Sequence, residues 1–402
     1  MKSRRTFLKQ SALTAAGTLL VPNFLKALEI QSQDTFANGK TLVIIQLSGG
    51  NDGLNTVIPF RNDLYYKYRP LLAIPGEKVI RASDELGFHP ALGKLNELYA
   101  QGYLTVINNV GYPNPDRSHF RSLDIWQSAS DSDEYLSTGW IGRYLDSSCS
   151  GCHVGHHAIE IDDTLGLALK GESIKGMAMT NPGKLYKIMR RPFIRKLNSE
   201  NPLDRIHDPS LHYLYKTLAE TASSADYIYD RSNARVATAT TYPANELAGR
   251  LKTVANMIAS GIETKVYYVS FSGFDTHARQ AGQHERQLST YADSVHAFVT
   301  DLIKCNRFND VLIMTFSEFG RRVAQNASGG TDHGTANNLF LIGKNMKRPG
   351  FLNETPDLHK LDSGDLLYTV DFRSVYATLL RQWLGADETK ILPGSFQQLD
   401  FI

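Results

Sequence analysis

The chain has 402 residues, 42% of them hydrophobic and 21% charged, room for one large domain or two ordinary ones. Its 43 basic and 41 acidic residues leave a net charge of +2, without the overall basic excess of a nucleic-acid binder. Three cysteines exclude a disulfide-built scaffold, and beyond the N-terminus no apolar run is long enough to span a bilayer.

The chain opens "MKSRRTFLKQSALTAAGTLLVPNFLKAL", a basic start followed by a short apolar segment from Ala12 to Val21. Ser3-Arg4-Arg5-Thr6-Phe7-Leu8-Lys9 resembles the twin-arginine export signal. Residues 1–35 are therefore read as signal and linker, either cleaved or kept as an anchor, since no clean small-x-small site lies near Lys26-Ala27-Leu28. The expected location is periplasmic or otherwise extracytoplasmic, reached through the twin-arginine export machinery. That route carries proteins already folded, often around a cofactor.

The remainder, 36–402, reads as a single domain. Continuously apolar runs at Leu42–Leu47, Leu104–Asn108, Lys265–Phe271, Val311–Phe316 and Leu339–Ile342 predict strands buried on both faces. Between them lie helical stripes: Leu92, Leu95, Leu98 and Tyr99; Leu247, Leu251, Val254 and Ile258; Leu288, Tyr291, Val295, Phe298, Val299 and Leu302; Val375, Leu379 and Trp383. The alternation predicts an α/β fold, a three-layer sandwich with a mostly parallel central sheet. About 151–230 is more polar and reads as a loop-rich insertion or cap. Just before it, Cys149-Ser-Gly-Cys152-His153 matches the haem-attachment pattern, but no separate small domain surrounds it. A local disulfide or loop pair is preferred, with a zinc knuckle using His153, His156 or His157 as the intermediate reading.

Ligands of such sheets sit beyond the carboxyl ends of strands. There the sequence places Gly49-Gly50-Asn51-Asp52-Gly53, then Asp116-Arg117-Ser118-His119, Asp275 and His277 in "SGFDTH", Glu318 and Arg321 in "SEFGRR", and Asp332-His333 in "GGTDHG". Alone, each has an ordinary explanation as a turn, cap or ion pair. Together they offer oxygen and nitrogen donors without thiolates, the composition of a divalent-metal site. Gly-x-Asn-Asp also occurs in small serine esterases, but no Gly-Asp-Ser block precedes it here, and the late pair is Asp-x-His.

"LSGGNDGLNT", "YPNPDRSHFRSLDIWQ", "TGWIGRYLD", "SFSGFDTH", "MTFSEFGRR", "GGTDHGTA" and "VDFRSVYATLL" resemble a twin-arginine-exported family of unknown function related to arylsulfatases, in the alkaline phosphatase-like superfamily. The resemblance implies that Asp52, Asp275, His277, Glu318, Asp332 and His333 bind one or two divalent ions (Zn, Ca or Mn). It implies Ser118 as nucleophile; beside it His119 is read as a general acid or base or, equally, a packed core histidine, and Arg117, Arg121 or Arg321, with Asn51, as facing an anionic ligand. The chain departs from the superfamily pattern: Asp-x-x-x-His is shortened to Asp275-Thr276-His277, an Asp-His pair becomes Glu318-Phe319, and no Cys-x-Pro-x-Arg occurs. The expected function is a metal-dependent hydrolase of a phosphate or sulfate ester on a small molecule, polysaccharide or lipid. The alternative is a non-catalytic binding or assembly protein on the same fold. Nothing in the sequence specifies the oligomeric state.

Overall fold

The computed structural model describes residues 39–148, 155–199, 209–233 and 240–402. Residues 1–35, read from the sequence as signal and linker, and the Cys149–His153 motif lie outside them. Nine strands form the central sheet: β1 Thr41–Ser48, β2 Leu104–Gly111, β3 Ala158–Glu160, β4 Met177–Ala178, β5 Val266–Ser272, β6 Val311–Phe316, β7 Asn337–Gly343, β8 Gly350–Phe351 and β9 Val370–Asp371. Their order is β8-β2-β7-β6-β1-β5-β3-β4, with β9 also on β2. All pairings are parallel except those of β7, which runs antiparallel to both β6 and β2.

That one reversal positions the site. β1, β2, β5 and β6 all point the same way, so their carboxyl ends share one edge of the sheet. β7 runs back, so the segment before it, containing Asp332 and His333, reaches the same edge. All five sequence segments therefore converge, as the pattern predicts.

The principal helices are α1 Asp63–Tyr68, α2 Gly93–Ala100, α3 His119–Ser128, α4 Trp140–Ser148, α5 Pro182–Met189, α6 Pro192–Ser199, α7 Pro209–Asn233, α8 Glu246–Ala259, α9 Gln280–Lys304 and α10 Phe372–Thr378. Side chains alternate across β1: Val43, Ile45 and Leu47 pack with residues of α2, α8 and α9, while Leu42 and Ile44 pack with residues of α3, α4 and α10. This is why β1 reads as a continuous apolar run, and it makes the domain a three-layer sandwich. Leu42, Val43, Ile44 and Ile45 are fully buried, each contributing ~1.5–3 kcal/mol relative to exposure. The stretch read as a cap supplies β3 and β4 at the sheet's edge before it turns helical, so it extends the sheet as well as covering it.

Candidate metal centre

The glycine loop after β1 is shaped by the loop after β5. Gly49 and Gly50 have φ of +116° and +73°, and a Cβ on Gly49 would sit 2.4 Å from the Asp275 amide nitrogen. Only a residue without a side chain allows that approach. The Gly49 N–H donates to Glu318 Oε1 at 2.7 Å. Buried Arg321 donates to the carbonyls of Gly49, Gly50, Phe274 and Thr331 and to Asp275 Oδ1. One guanidinium thus ties together the loops after β1 and β5 and the segment before β7.

On this frame three imidazoles converge. His119 begins α3, and its Nδ1 lies 2.8 Å from Glu318 Oε1. His277 Nδ1 lies 3.3 Å from Asp332 Oδ1, and His333 Nδ1 lies 2.8 Å from the Arg117 carbonyl oxygen. A carboxylate or carbonyl oxygen only accepts, so each Nδ1 carries a proton, and a ring in its neutral form turns an Nε2 lone pair inward. His277 Nε2 is 3.0 Å from both His333 Nε2 and Asp275 Oδ1. His333 Nε2 is 3.2 Å from Asp275 Oδ1, and His119 Nε2 is 3.5 Å from Asp275 Oδ2.

Converging lone pairs repel unless a cation or proton lies between them. His119 Nε2 is itself buried without a hydrogen-bond partner. Ligand atoms of His119, Asp275 and His333 all lie within 4.8 Å of one another, and the His277 contacts add a fourth donor. Imidazole nitrogens and a carboxylate, each ring held by an acceptor behind it, make a possible divalent-metal site. The cluster opens to solvent, with Asp275 and His277 about half exposed.

The hydrogen bonds behind and beside the rings also set the charges. The hydrogen bond to Glu318 raises the His119 pKa, outweighing burial. Burial works to raise that of Asp275, but the hydrogen bond and charge of the Arg321 guanidinium lower it, so Asp275 is an anion at any physiological pH. Asp332 is held below the carboxylate range chiefly by a hydrogen bond from Asn326.

Four residues singled out in the sequence thus meet: His119, Asp275, His277 and His333. Glu318 and Asp332 stand behind the imidazoles rather than among the converging atoms. Asp52 is farther removed. It is 1% exposed and accepts from Arg69 Nη1 at 2.7 and 2.9 Å and from Gln280 Nε2. A guanidinium stands where the sequence reading puts an ion. Burial would raise the Asp52 pKa, but Arg69 and His284 together with these hydrogen bonds lower it.

The residues expected to face an anion have other partners. Asn51 is buried, its side chain bonded to Thr56 and His284. Arg121 donates to the carbonyls of Asp131, Ser132 and Glu134 and lies 3.9 Å over the Tyr135 ring. Arg321 is the loop staple. The donors of Arg121 and Arg321, read from the sequence as anion-binding, are thus spent on carbonyls and on Asp275. Arg117 stays partly exposed, paired with buried Asp365, which Arg322 also approaches at 3.9 Å. Ser118 is exposed at the N-cap of α3, and its hydroxyl makes no capping hydrogen bond.

Sequence reading missed Arg69, Gln280, His284 and Arg322. For two of them a signal existed. Gln280 and His284 continue the core stripe Leu288, Tyr291 and Val295 backward at helical spacing, so polar groups occupy core positions at the end of α9 nearest the site. His284 is buried there, and burial drives its pKa down to about 4. Arg69 follows α1 with no periodic signature.

No curated protein matches the sequence. Among solved structures, the chain is similar to the zinc complex of the C-terminal periplasmic domain of EcEptC from Escherichia coli, at 12% identity over 77% of this chain and 74% of that one, TM-score 0.37. It is similar to the lipoteichoic acid synthase LtaP from Listeria monocytogenes, at 11% identity over 81% and 73%, TM-score 0.37. It is also similar to the PsFucS1 sulfatase from Pseudoalteromonas sp., at 12% identity over 94% and 74%, TM-score 0.37. Likeness at this level gives no residue-by-residue correspondence, so the chemistry is argued from this chain's own side chains. A family profile matches residues 192–399, more than half of the sequence, and the chain belongs to that family, DUF1501, described as "Protein of unknown function".

Proposed function

We propose that this protein is an exported metal-dependent hydrolase of a phosphate or sulfate ester, with one divalent ion held by His119, His277, His333 and Asp275. The observation that carries the reading is the inward convergence of three Nε2 atoms on one carboxylate, with every Nδ1 occupied from behind. A bound divalent ion supplies Lewis acidity toward a P–O or S–O oxygen and lowers the pKa of an adjacent hydroxyl.

The chain's own residues do the rest. Glu318 and Asp332 hold the His119 and His277 rings with Nε2 forward. Ser118, immediately before His119 and free of a cap bond, offers the attacking hydroxyl. Arg117 and Arg322, partly exposed around Asp365, are placed to receive the charged ester oxygens. This replaces Arg121 and Arg321 in that role, because their donors are already used.

The test is turnover of aryl phosphates and aryl sulfates with added Zn²⁺, Mn²⁺ or Ca²⁺, comparing wild type with Ser118→Ala. The reading expects metal content unchanged in the variant and turnover reduced on the order of 10³-fold or more. Equal turnover in both proteins would remove Ser118 from the mechanism. Metal binding by the wild type without turnover of either ester class would favour the non-catalytic alternative.

A further inference from the structure

A second surface bears no relation to the metal cluster. From Pro182 to Ser199 the sequence is "PGKLYKIMRRPFIRKLNS", with six basic residues and no acidic one in a chain of net charge +2. It forms two consecutive helices, α5 and α6. Their attachment to the domain is specific. Tyr186 stacks on Tyr229 of α7 at 3.8 Å, Arg190 makes a two-pronged pair with Asp226 at 3.1 Å, and Leu185 packs against the core.

The outward side is what needs explanation. Lys184, Lys187, Arg191, Arg195 and Lys196 are exposed, and the first four make no ion pair among the described residues. In their midst Phe193 is 70% exposed, while its neighbour Ile194 is partly buried. Among the described residues, the neighbouring helix α7 carries the acidic residues Glu220, Asp226 and Asp230, and Asp226 is already paired with Arg190.

We infer that α5 and α6 form a docking surface for an anionic phospholipid bilayer, Phe193 entering the headgroup zone while Lys184, Lys187, Arg191 and Arg195 meet lipid phosphates. Charge complementarity selects an anionic partner. The exposed phenyl ring within one helical turn of Arg191, Arg195 and Lys196 selects a bilayer over a soluble polyanion, because a polyanion leaves the ring in water and an interface does not. Only Arg190 and Arg191 separate α5 from α6, which Pro192 starts, so the cations and the ring are carried on two helices and a two-residue link instead of a long loop.

The experiment is co-sedimentation of the full chain with phosphatidylglycerol vesicles and with pure phosphatidylcholine vesicles. Wild type is compared with Arg191→Glu/Arg195→Glu and with Phe193→Ser. All three proteins carry the same N-terminus, so any contribution from it cancels. Circular dichroism checks that these exposed substitutions leave the fold intact. The expected result is preference for the anionic vesicles that weakens with salt, reduced about 30-fold by the double reversal and about tenfold by Phe193→Ser. Partition unchanged by either variant would overturn the inference. So would binding to soluble heparin, at the same salt, that exceeds vesicle binding and ignores Phe193→Ser. Neither result touches the metal reading.

Discussion

Replacing Arg69 with Met tests the buried core of the site most sharply. Arg69 has no solvent exposure and Asp52 has 1%. Met keeps an unbranched apolar stem, shorter than that of Arg, and removes the charge and every donor. Arg69 donates to both oxygens of Asp52, to Asn55 Oδ1 and to the carbonyls of Val323 and Arg322. An unpaired buried carboxylate costs ~3–5 kcal/mol, and each orphaned carbonyl adds ~1 kcal/mol. The sum rivals the ~5–15 kcal/mol by which whole domains are stable. Arg69→Met is therefore expected to unfold at far lower urea than wild type at neutral pH. Asp52→Asn/Arg69→Met removes both charges and should recover ~2 kcal/mol or more relative to the summed single variants. Because the folded pKa of Asp52 is lowered, its contribution is present above the unfolded carboxylate value and is lost as pH falls through the folded one. The gap between Arg69→Met and wild type should narrow in acid accordingly. Urea unfolding of the four proteins, with metal content measured on each folded one, decides the matter. Additive losses, or Arg69→Met within ~1 kcal/mol of wild type, would refute the reasoning. Asp52→Asn that folds but loses its metal would return Asp52 to the ligand set.

Further outcomes follow from the same geometry. Glu160, at the end of β3, is buried, and burial lifts its pKa to about 7 against the pull of the Gly166 N–H. Its protonated form suits the fold, so its contribution is fully present below the ordinary carboxylate pKa and is lost as pH rises through about 7. Glu160→Gln should therefore be more stable than wild type at pH ~8, by up to ~3 kcal/mol, and nearly equal at pH ~4, as thermal melts at the two values will show. Gly49→Ala places a methyl 2.4 Å from the Asp275 amide nitrogen at a φ of +116°, so it should destabilise by several kcal/mol and lower metal affinity together, read by melting and by chelator competition. Glu318→Gln should keep the fold but weaken metal affinity ~10–100-fold, because it removes the carboxylate behind His119.

Much of the fold was readable because its strands are buried on both faces. Val311–Phe316 coincides with the predicted run, and the other four differ only at their ends. The two edge strands, three and two residues long, are too short to carry a period, and they hid within the stretch read as a cap. At the site, the convergence of five segments was legible because chain direction in a parallel sheet determines which loops share an edge. The partition between ligand and supporting residue was not. Glu318 and Asp332 differ from Asp275 by one imidazole's width, a distance no residue pattern encodes. The partners of Arg121 and Arg321 were equally hidden, since a sequence shows a guanidinium but not the carbonyls that consume its donors. Arg69 came from outside every motif.

The central claim is that three imidazoles and Asp275 hold a divalent ion. Elemental mass spectrometry of protein purified after folding in the cytoplasm tests it directly, with wild type measured beside His333→Ala and Asp52→Asn. A tightly held divalent metal is expected in wild type, retained in Asp52→Asn and lost in His333→Ala. Wild type without metal even after reconstitution, or His333→Ala retaining it in full, would contradict the account.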